Sequence, residues 1–361
     1  MNDSGTVLAI GAILNSGNGT YSGHTRVYAW NGSTWIQRGS DINGEMAGDY
    51  SGHSVSLSND GNILAIGAKF NDGNGSNSGH VRIYSWNGSN WNQLGSDIDG
   101  EAAGDNSGFS VSLNNNGTIL GIGAIYNDGN GSNSGSVRVY FWNGNTWSQR
   151  GNDIDGITQS GYSVSLNDDG DLLAIGERNY NLSSGRTRVY YWNGSSWIQR
   201  GNDIIGESNN DYSGHSVSFN GDGLLLAIGA IYNNGNGNSS GHVRIYYWNS
   251  NSWIQRGNDI NGEVAFDNSG FSVSLNGAGN IVAIGARYND GSGIDSGHVR
   301  IYSWNGSSWN KLGADIDGEA ATDESGYSVS LNENGTVLAI GAIYNDGNGI
   351  DSGSVRVYKY A

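Results

Sequence analysis

The stretch from Gly52 to Trp91 reads GHSVSLSNDGNILAIGAKFNDGNGSNSGHVRIYSWNGSNW, and its reading decides the fold. Ser54-Val55-Ser56-Leu57 alternates polar and apolar side chains, the period of a strand with one covered face. Leu64-Ala65-Ile66-Gly67-Ala68 is an unbroken apolar run of strand length, as expected where both faces are covered. Val81-Arg82-Ile83-Tyr84 is rich in β-branched and aromatic residues. Asn87-Gly88 lies between Trp86 and Trp91, and Asn-Gly is a strong hairpin signal because both residues tolerate positive φ. The spacing predicts four antiparallel strands, a to d, with Trp86 closing c and Trp91 opening d. No segment has a 3.6-residue apolar period, and Gly, Asn and Ser interrupt every candidate helix.

The same phrases recur along the chain. All 12 tryptophans fall in six copies of one hairpin phrase: Trp30–Trp35, Trp86–Trp91, Trp142–Trp147, Trp192–Trp197, Trp248–Trp253 and Trp304–Trp309. The glycine of the strand-b phrase returns at Gly11, Gly67, Gly123, Gly176, Gly229, Gly285 and Gly341, in steps of 53 or 56 residues. A four-stranded unit repeated at this period is the signature of a propeller blade. The expected architecture is an all-β propeller of seven four-stranded antiparallel blades, one domain over residues 1–361. The first blade lacks strand a and the last stops after strand c. The two ends would duplicate b and c, so either closure is irregular or the chain is a fragment of a longer array.

Composition bounds the partners. The net charge is −17, with lysine only at Lys69, Lys311 and Lys359. Phosphate binding needs a basic surface, so nucleic acid is not an expected partner. An acidic surface suits solubility and divalent cations. With no cysteine there is no disulfide or thiol chemistry. No apolar run approaches membrane-spanning length, so membrane insertion is not expected. Glycine contributes 61 residues and proline none, so the turns are made by Gly, Asn and Asp.

Gly108-Phe109-Ser-Val-Ser-Leu113, Leu120-Gly-Ile-Gly-Ala124 and Gly135-Ser-Val-Arg-Val-Tyr140 together resemble the FG-GAP repeat. That repeat is the blade unit of integrin α-subunit propellers and of many bacterial and algal surface proteins. The resemblance covers essentially the whole chain and implies an extracellular, cell-surface or particle-surface protein. It also implies adhesion or recognition. Many FG-GAP repeats hold Ca²⁺ between strands a and b. Here that loop, Asn59-Asp60-Gly61 or Asn114-Asn115-Asn116-Gly117, is too short and too poor in carboxylates for six to eight oxygen ligands.

The b–c loops are the candidate metal sites, because side-chain oxygens alternate there with glycine. Their candidate ligands are Asp72 and Asn74, Asp128 and Asn130, Asp290 and Asp295, and Asp346 and Asp351, with Ca²⁺ as the ion. The competing reading is a turn whose Asn and Asp cap their own backbone. The Trp pairs read as cross-strand staples, with sugar stacking as the functional alternative. Six of the seven strand-c arginines precede an aspartate by 15 residues, which predicts a structural latch within each blade, as in Arg82–Asp97 and Arg244–Asp259. The six histidines occupy slots that elsewhere hold Phe, Tyr, Ser or Arg, so they read as packing or turn positions. The fourth unit breaks the symmetry with Glu177, Arg178 and Arg186, and with Trp192 and Trp197 it forms the candidate ligand site.

An enzyme needs dissimilar groups converging once, and repetition of the same few residues leads us to expect none. The expected function is a non-catalytic recognition or adhesion propeller binding a surface protein or glycan. A structural spacer or self-assembling module is the alternative.

Overall fold

The computed structural model describes residues 1–360. In the second sheet, strand a is Ser54–Leu57, b is Ile63–Ala68, c is His80–Trp86 and d is Trp91–Gln93. They pair antiparallel in that order, and seven such small sheets make an all-β, seven-bladed propeller fold. The first sheet lacks strand a and the seventh has three strands. Among the described residues, helix is confined to one irregular turn at Tyr180–Ser183.

Strand d differs from the sequence expectation by being broken. After Gln93 the chain turns out at Gly95, whose φ of +83° favours glycine. It then returns as Ile98–Asp99, which pairs with the start of strand c, Val81 opposite Ile98. By contact the chain divides into two compact units, Met1–Ile175 with Tyr190–Ile198, and Gly176–Val189 with Gln199–Ala361. The first unit contains the first three sheets whole and the second contains the last three whole, while the strands of the fourth sheet are shared out between them.

Large and small side chains alternate along strand b, and this places the core between sheets. Leu64 and Ile66 pack on Val7, Val27 and Ile42 of the first sheet. Ala65 faces Leu113, Leu120 and Ile122 of the third. Burying each large side chain contributes roughly 1.5–3 kcal/mol. Gly67 lies where the backbones come closest, since a Cβ there would fall 2.1 Å from the Gly108 carbonyl oxygen. Gly123 meets Gly161, and Gly285 meets Gly326, in the same way.

Candidate functional site

Each Trp pair is cross-strand, as the hairpin phrase implies, with Trp86 opposite Trp91 and ring centroids 5.4 Å apart. The pair also binds the preceding sheet, which its spacing did not reveal. Trp91 Nε1 donates to the Arg38 carbonyl at 2.9 Å, and the Arg38 guanidinium lies 4.7 Å over the Trp86 ring. Trp192 and Trp197 follow the same plan, 5.5 Å apart. Trp197 Nε1 donates to Arg150 O at 2.8 Å, and the Arg150 guanidinium lies 4.8 Å over Trp192. The covering arginine occupies ring surface that a sugar would use.

In the b–c loops the acidic side chains are engaged with their own turns. Asp72 Oδ1 accepts from the Asn77 amide at 2.8 Å, and Asp128 Oδ1 from Asn133 at 2.7 Å. Asp290 accepts from the Asp295 amide at 2.9 Å, and Asp346 from Asp351 at 2.7 Å. Asn74 donates to the Gly100 and Glu101 carbonyls, both at 2.9 Å, and Asn130 to Gly156 O at 2.9 Å. The asparagines thus tie each loop to the connection that follows strand d.

The latch forms in the first sheet, where Arg26 grips Asp41 through Nε and Nη2, each at 3.0 Å. Arg82 and Arg244 correct the expectation, because they reach back to the preceding sheet's connection. Arg82 Nη2 donates to Asn43 O at 2.7 Å and Nη1 lies 3.7 Å from Glu45. Arg244 donates to Ile205 O at 2.9 Å and lies 3.7 Å from Glu207. Asp97 and Asp259 are held instead by Gln93 and Gln255. A buried guanidinium takes the upstream carbonyl and carboxylate directly before it, and the aspartate stays with its own strand d.

In the fourth sheet Ile157 stands where the other connections have glutamate, and Glu177 supplies the carboxylate from within. Glu177 is fully buried. Arg186 donates to its Oε2 through Nε at 3.0 Å and Nη2 at 2.8 Å, and Arg188 Nε donates to Oε1 at 2.6 Å. Arg186 Nη1 also donates to Asp203 at 2.7 Å, and its guanidinium lies 3.9 Å over the Tyr180 ring. The anomaly read from the sequence is therefore an internal ion network. Of its residues Arg178 alone faces elsewhere, with Nη1 3.3 Å from His215 Nδ1 and its guanidinium 5.6 Å over Tyr212.

Arg178 belongs to a feature that the sequence reading caught only in part. The residue after the strand-b phrase is Ile13, Ile125, Ile231 or Ile343 in four sheets, but Lys69, Arg178 or Arg287 in the other three. These cations lie against aromatic runs formed by the second residue of the strand-a phrase. In the first unit His53, Phe109 and Tyr162 stack in succession at 4.8 and 4.9 Å. Lys69 Nζ lies 5.1 Å over Phe109 and 4.9 Å over Phe70. Burial pulls its ammonium down to about 8. In the second unit His215, Phe271 and Tyr327 stack at 4.7 and 5.0 Å. Arg287 lies 4.1 Å over Phe271, with Glu324 3.3 Å away. Three cations at one otherwise apolar slot were the available signal.

A second set gives the strand-c histidines, read from the sequence as packing or turn positions, carboxylate neighbours as well. His80, His242 and His298 each meet two carboxylates: Glu45 and Asp97, Glu207 and Asp259, Glu263 and Asp315. Each glutamate precedes its histidine by 35 residues and each aspartate follows by 17, a constant spacing that could have revealed the groups. These acidic and histidine groups could hold a metal ion.

Burial, and then the neighbouring Arg82, Arg244 or Arg300, lowers all three imidazoles to about 4. An unfolded histidine titrates near about 6.5. Between those values the unfolded chain binds more protons, so stability rises with pH there. The contribution is complete above the unfolded value and is lost as pH falls toward the folded one. Denaturant midpoints should therefore drop between pH 7 and pH 5. His80→Ser, the residue of the third sheet, should flatten that slope; an unchanged slope would show that His80 is not held neutral.

Comparison with known proteins places this geometry. The FG-GAP repeat matches residues 43–84, 98–140 and 310–358. The chain is a β-propeller that carries FG-GAP repeats in these three stretches, and the unmatched stretches carry the same strand phrases. No curated protein matches the sequence. Among solved structures it is similar to a putative 6-phosphogluconolactonase from Bacteroides uniformis, at 13% identity and a TM-score of 0.66 over 99% of this chain and 92% of that one. It is also similar to the periplasmic gluconolactonase of Pseudomonas aeruginosa, at 14% identity and a TM-score of 0.60 over 98% and 96%. The Cps50 (Swd1) β-propeller domain of Myceliophteria thermophila matches at 11% identity and a TM-score of 0.63 over 100% and 96%. The TM-scores establish a shared fold, and at these identities the likeness shows the fold alone. They also correct the expectation that the chain is not an enzyme. Propellers named as lactonases share this architecture, so a repeated blade is no ground for excluding catalysis. Among the described residues, no helix is long and apolar enough to cross a membrane.

Proposed function

We propose that this chain is a recognition propeller displayed at a cell or particle surface, and that its ligand is a protein or glycan bearing an anionic group beside an apolar face. The observation that carries the reading is the placement of Lys69, Arg178 and Arg287 against aromatic rings in a chain that is otherwise strongly acidic. A cation held over a ring offers a charge and a flat apolar surface together. The FG-GAP repeats support a surface location. Calcium enters this reading at the b–c loops, where Asp72, Asp128, Asp290 and Asp346 are exposed.

The test is an array of acidic and neutral glycans and acidic peptides, probed with the intact chain. Saturable binding to anionic members, lost in Lys69→Ala or Arg287→Ala at unchanged melting temperature, is expected. No saturable binding, with end-to-end association in sedimentation, would replace recognition with the spacer role.

A further inference from the structure

The first position of strand c holds His80 in the second sheet and His242 in the fifth. Both imidazoles are 1% exposed, and neither of their ring nitrogens has a hydrogen-bond partner. An unsatisfied buried polar group costs about 1–3 kcal/mol, so these rings need a partner. His80 Nδ1 faces Glu45 Oε2 and Asp97 Oδ2, each 3.7 Å away. His242 Nδ1 faces Glu207 Oε2 at 3.9 Å and Asp259 Oδ2 at 3.7 Å. These gaps are too long for hydrogen bonds. Two ligands on a tetrahedral ion lie about 3.4 Å apart, and in each group the three ligand atoms lie within 4.8 Å of one another, so side-chain adjustment alone would close either group around one.

The other oxygen of each aspartate is hydrogen-bonded, and that of each glutamate faces a guanidinium at ion-pair distance. Gln93 donates to Asp97 Oδ1, and Gln255 donates to Asp259 Oδ1 at 2.6 Å. Arg82 Nη1 lies 3.7 Å from Glu45 Oε1, and Arg244 Nη1 lies 3.7 Å from Glu207 Oε1. Outer partners of this kind orient ligand oxygens. The glutamates and aspartates remain partly exposed, so solvent can reach the group.

We propose that Glu45, His80 and Asp97, and likewise Glu207, His242 and Asp259, each hold a divalent transition-metal ion of the zinc class, through one imidazole nitrogen and two carboxylate oxygens with solvent at the open position. An imidazole ligand selects this class over calcium, which takes six to eight oxygens.

Corresponding places in other sheets show the same need for a cation met by the chain itself. In the sixth sheet Lys311 replaces the glutamine, bonds Asp315 and lies 3.6 Å from Glu263. In the fourth, Arg186 replaces the histidine and binds Glu177 and Asp203. In the first, Arg26 takes Asp41. The second and fifth sheets have the orphaned imidazole without such a substitute, so two sites are expected.

The test is equilibrium dialysis of the intact chain against ZnCl₂ at neutral pH with metal analysis, and Co²⁺ absorption as a report on nitrogen and oxygen ligation. Two ions per chain, undisplaced by excess Ca²⁺, are expected. His80→Ser should leave one, and His80→Ser with His242→Ser none; serine is the third sheet's own residue, Ser136. Gln93→Lys with Gln255→Lys, which keeps both histidines, should also abolish binding by importing the sixth sheet's ammonium. No binding, or binding unchanged in either double variant, would overturn the proposal. None of these readouts depends on the surface ligand.

Discussion

Replacing Gly67 by alanine should destabilise the protein by about 3 kcal/mol or more, well above the response to the same change at Gly341. At Gly67 the added Cβ would lie 2.1 Å from the Gly108 carbonyl oxygen and 2.4 Å from Ser54 Oγ. The hydroxyl can rotate. The carbonyl cannot, because it is backbone of the next sheet and accepts from Ser54 Oγ at 2.8 Å. Relief requires the second and third sheets to separate, and that loosens the core of Ala65, Leu120 and Ile122. At Gly341 the close atom is Ser328 Oγ, again at 2.4 Å, and the next nearest atoms are 3.7 Å or more away. The two variants therefore differ in the carbonyl contact alone. Chemical denaturation of both checks the prediction, and equal midpoints would show that glycine in this phrase has no role in sheet-to-sheet approach.

Glu177→Gln should be comparably damaging, by about 3–5 kcal/mol, the usual consequence of removing one partner of a buried ion pair. Glu177 is fully buried and accepts from both Arg186 and Arg188. The amide keeps the shape but removes the carboxylate that the two buried guanidiniums share, while Arg186 keeps its bond to Asp203. A companion variant separates charge from packing. Glu177→Ala with Arg186→Ser installs the pair that the third sheet carries as Ala124 and Ser136. It removes one buried cation along with the anion, so it should recover part of the loss. If Glu177→Gln denatures like the parent, the network contributes nothing to stability. If the double variant is no better than Glu177→Gln, size and not charge governs the site.

These residues also show what was legible in the sequence. The strand phrases, the Asn-Gly hairpins and the period were readable because each depends on residues within one blade. The break in strand d at Gly95 was missed because Gly95 is one of many positive-φ glycines in the chain, most of which make ordinary turns. Arg178 was found by its departure from the repeat. Lys69 and Arg287 depart at the same slot, but their relevance depends on rings contributed by other strands, such as Phe109 and Phe271.

By itself, then, the sequence determined an all-β chain of seven repeated blades, because alternation, turn chemistry and periodicity are local properties of the chain. Tertiary structure decided the partners. Arg82 faces Glu45 rather than Asp97, His80 lies between Glu45 and Asp97, and Trp91 bonds the Arg38 carbonyl, because consecutive sheets stack face to face. That stacking joins residues 35 to 53 positions apart, so no pattern within a single blade announces the contact and only a spacing kept constant from blade to blade, as around the histidines, could have done so.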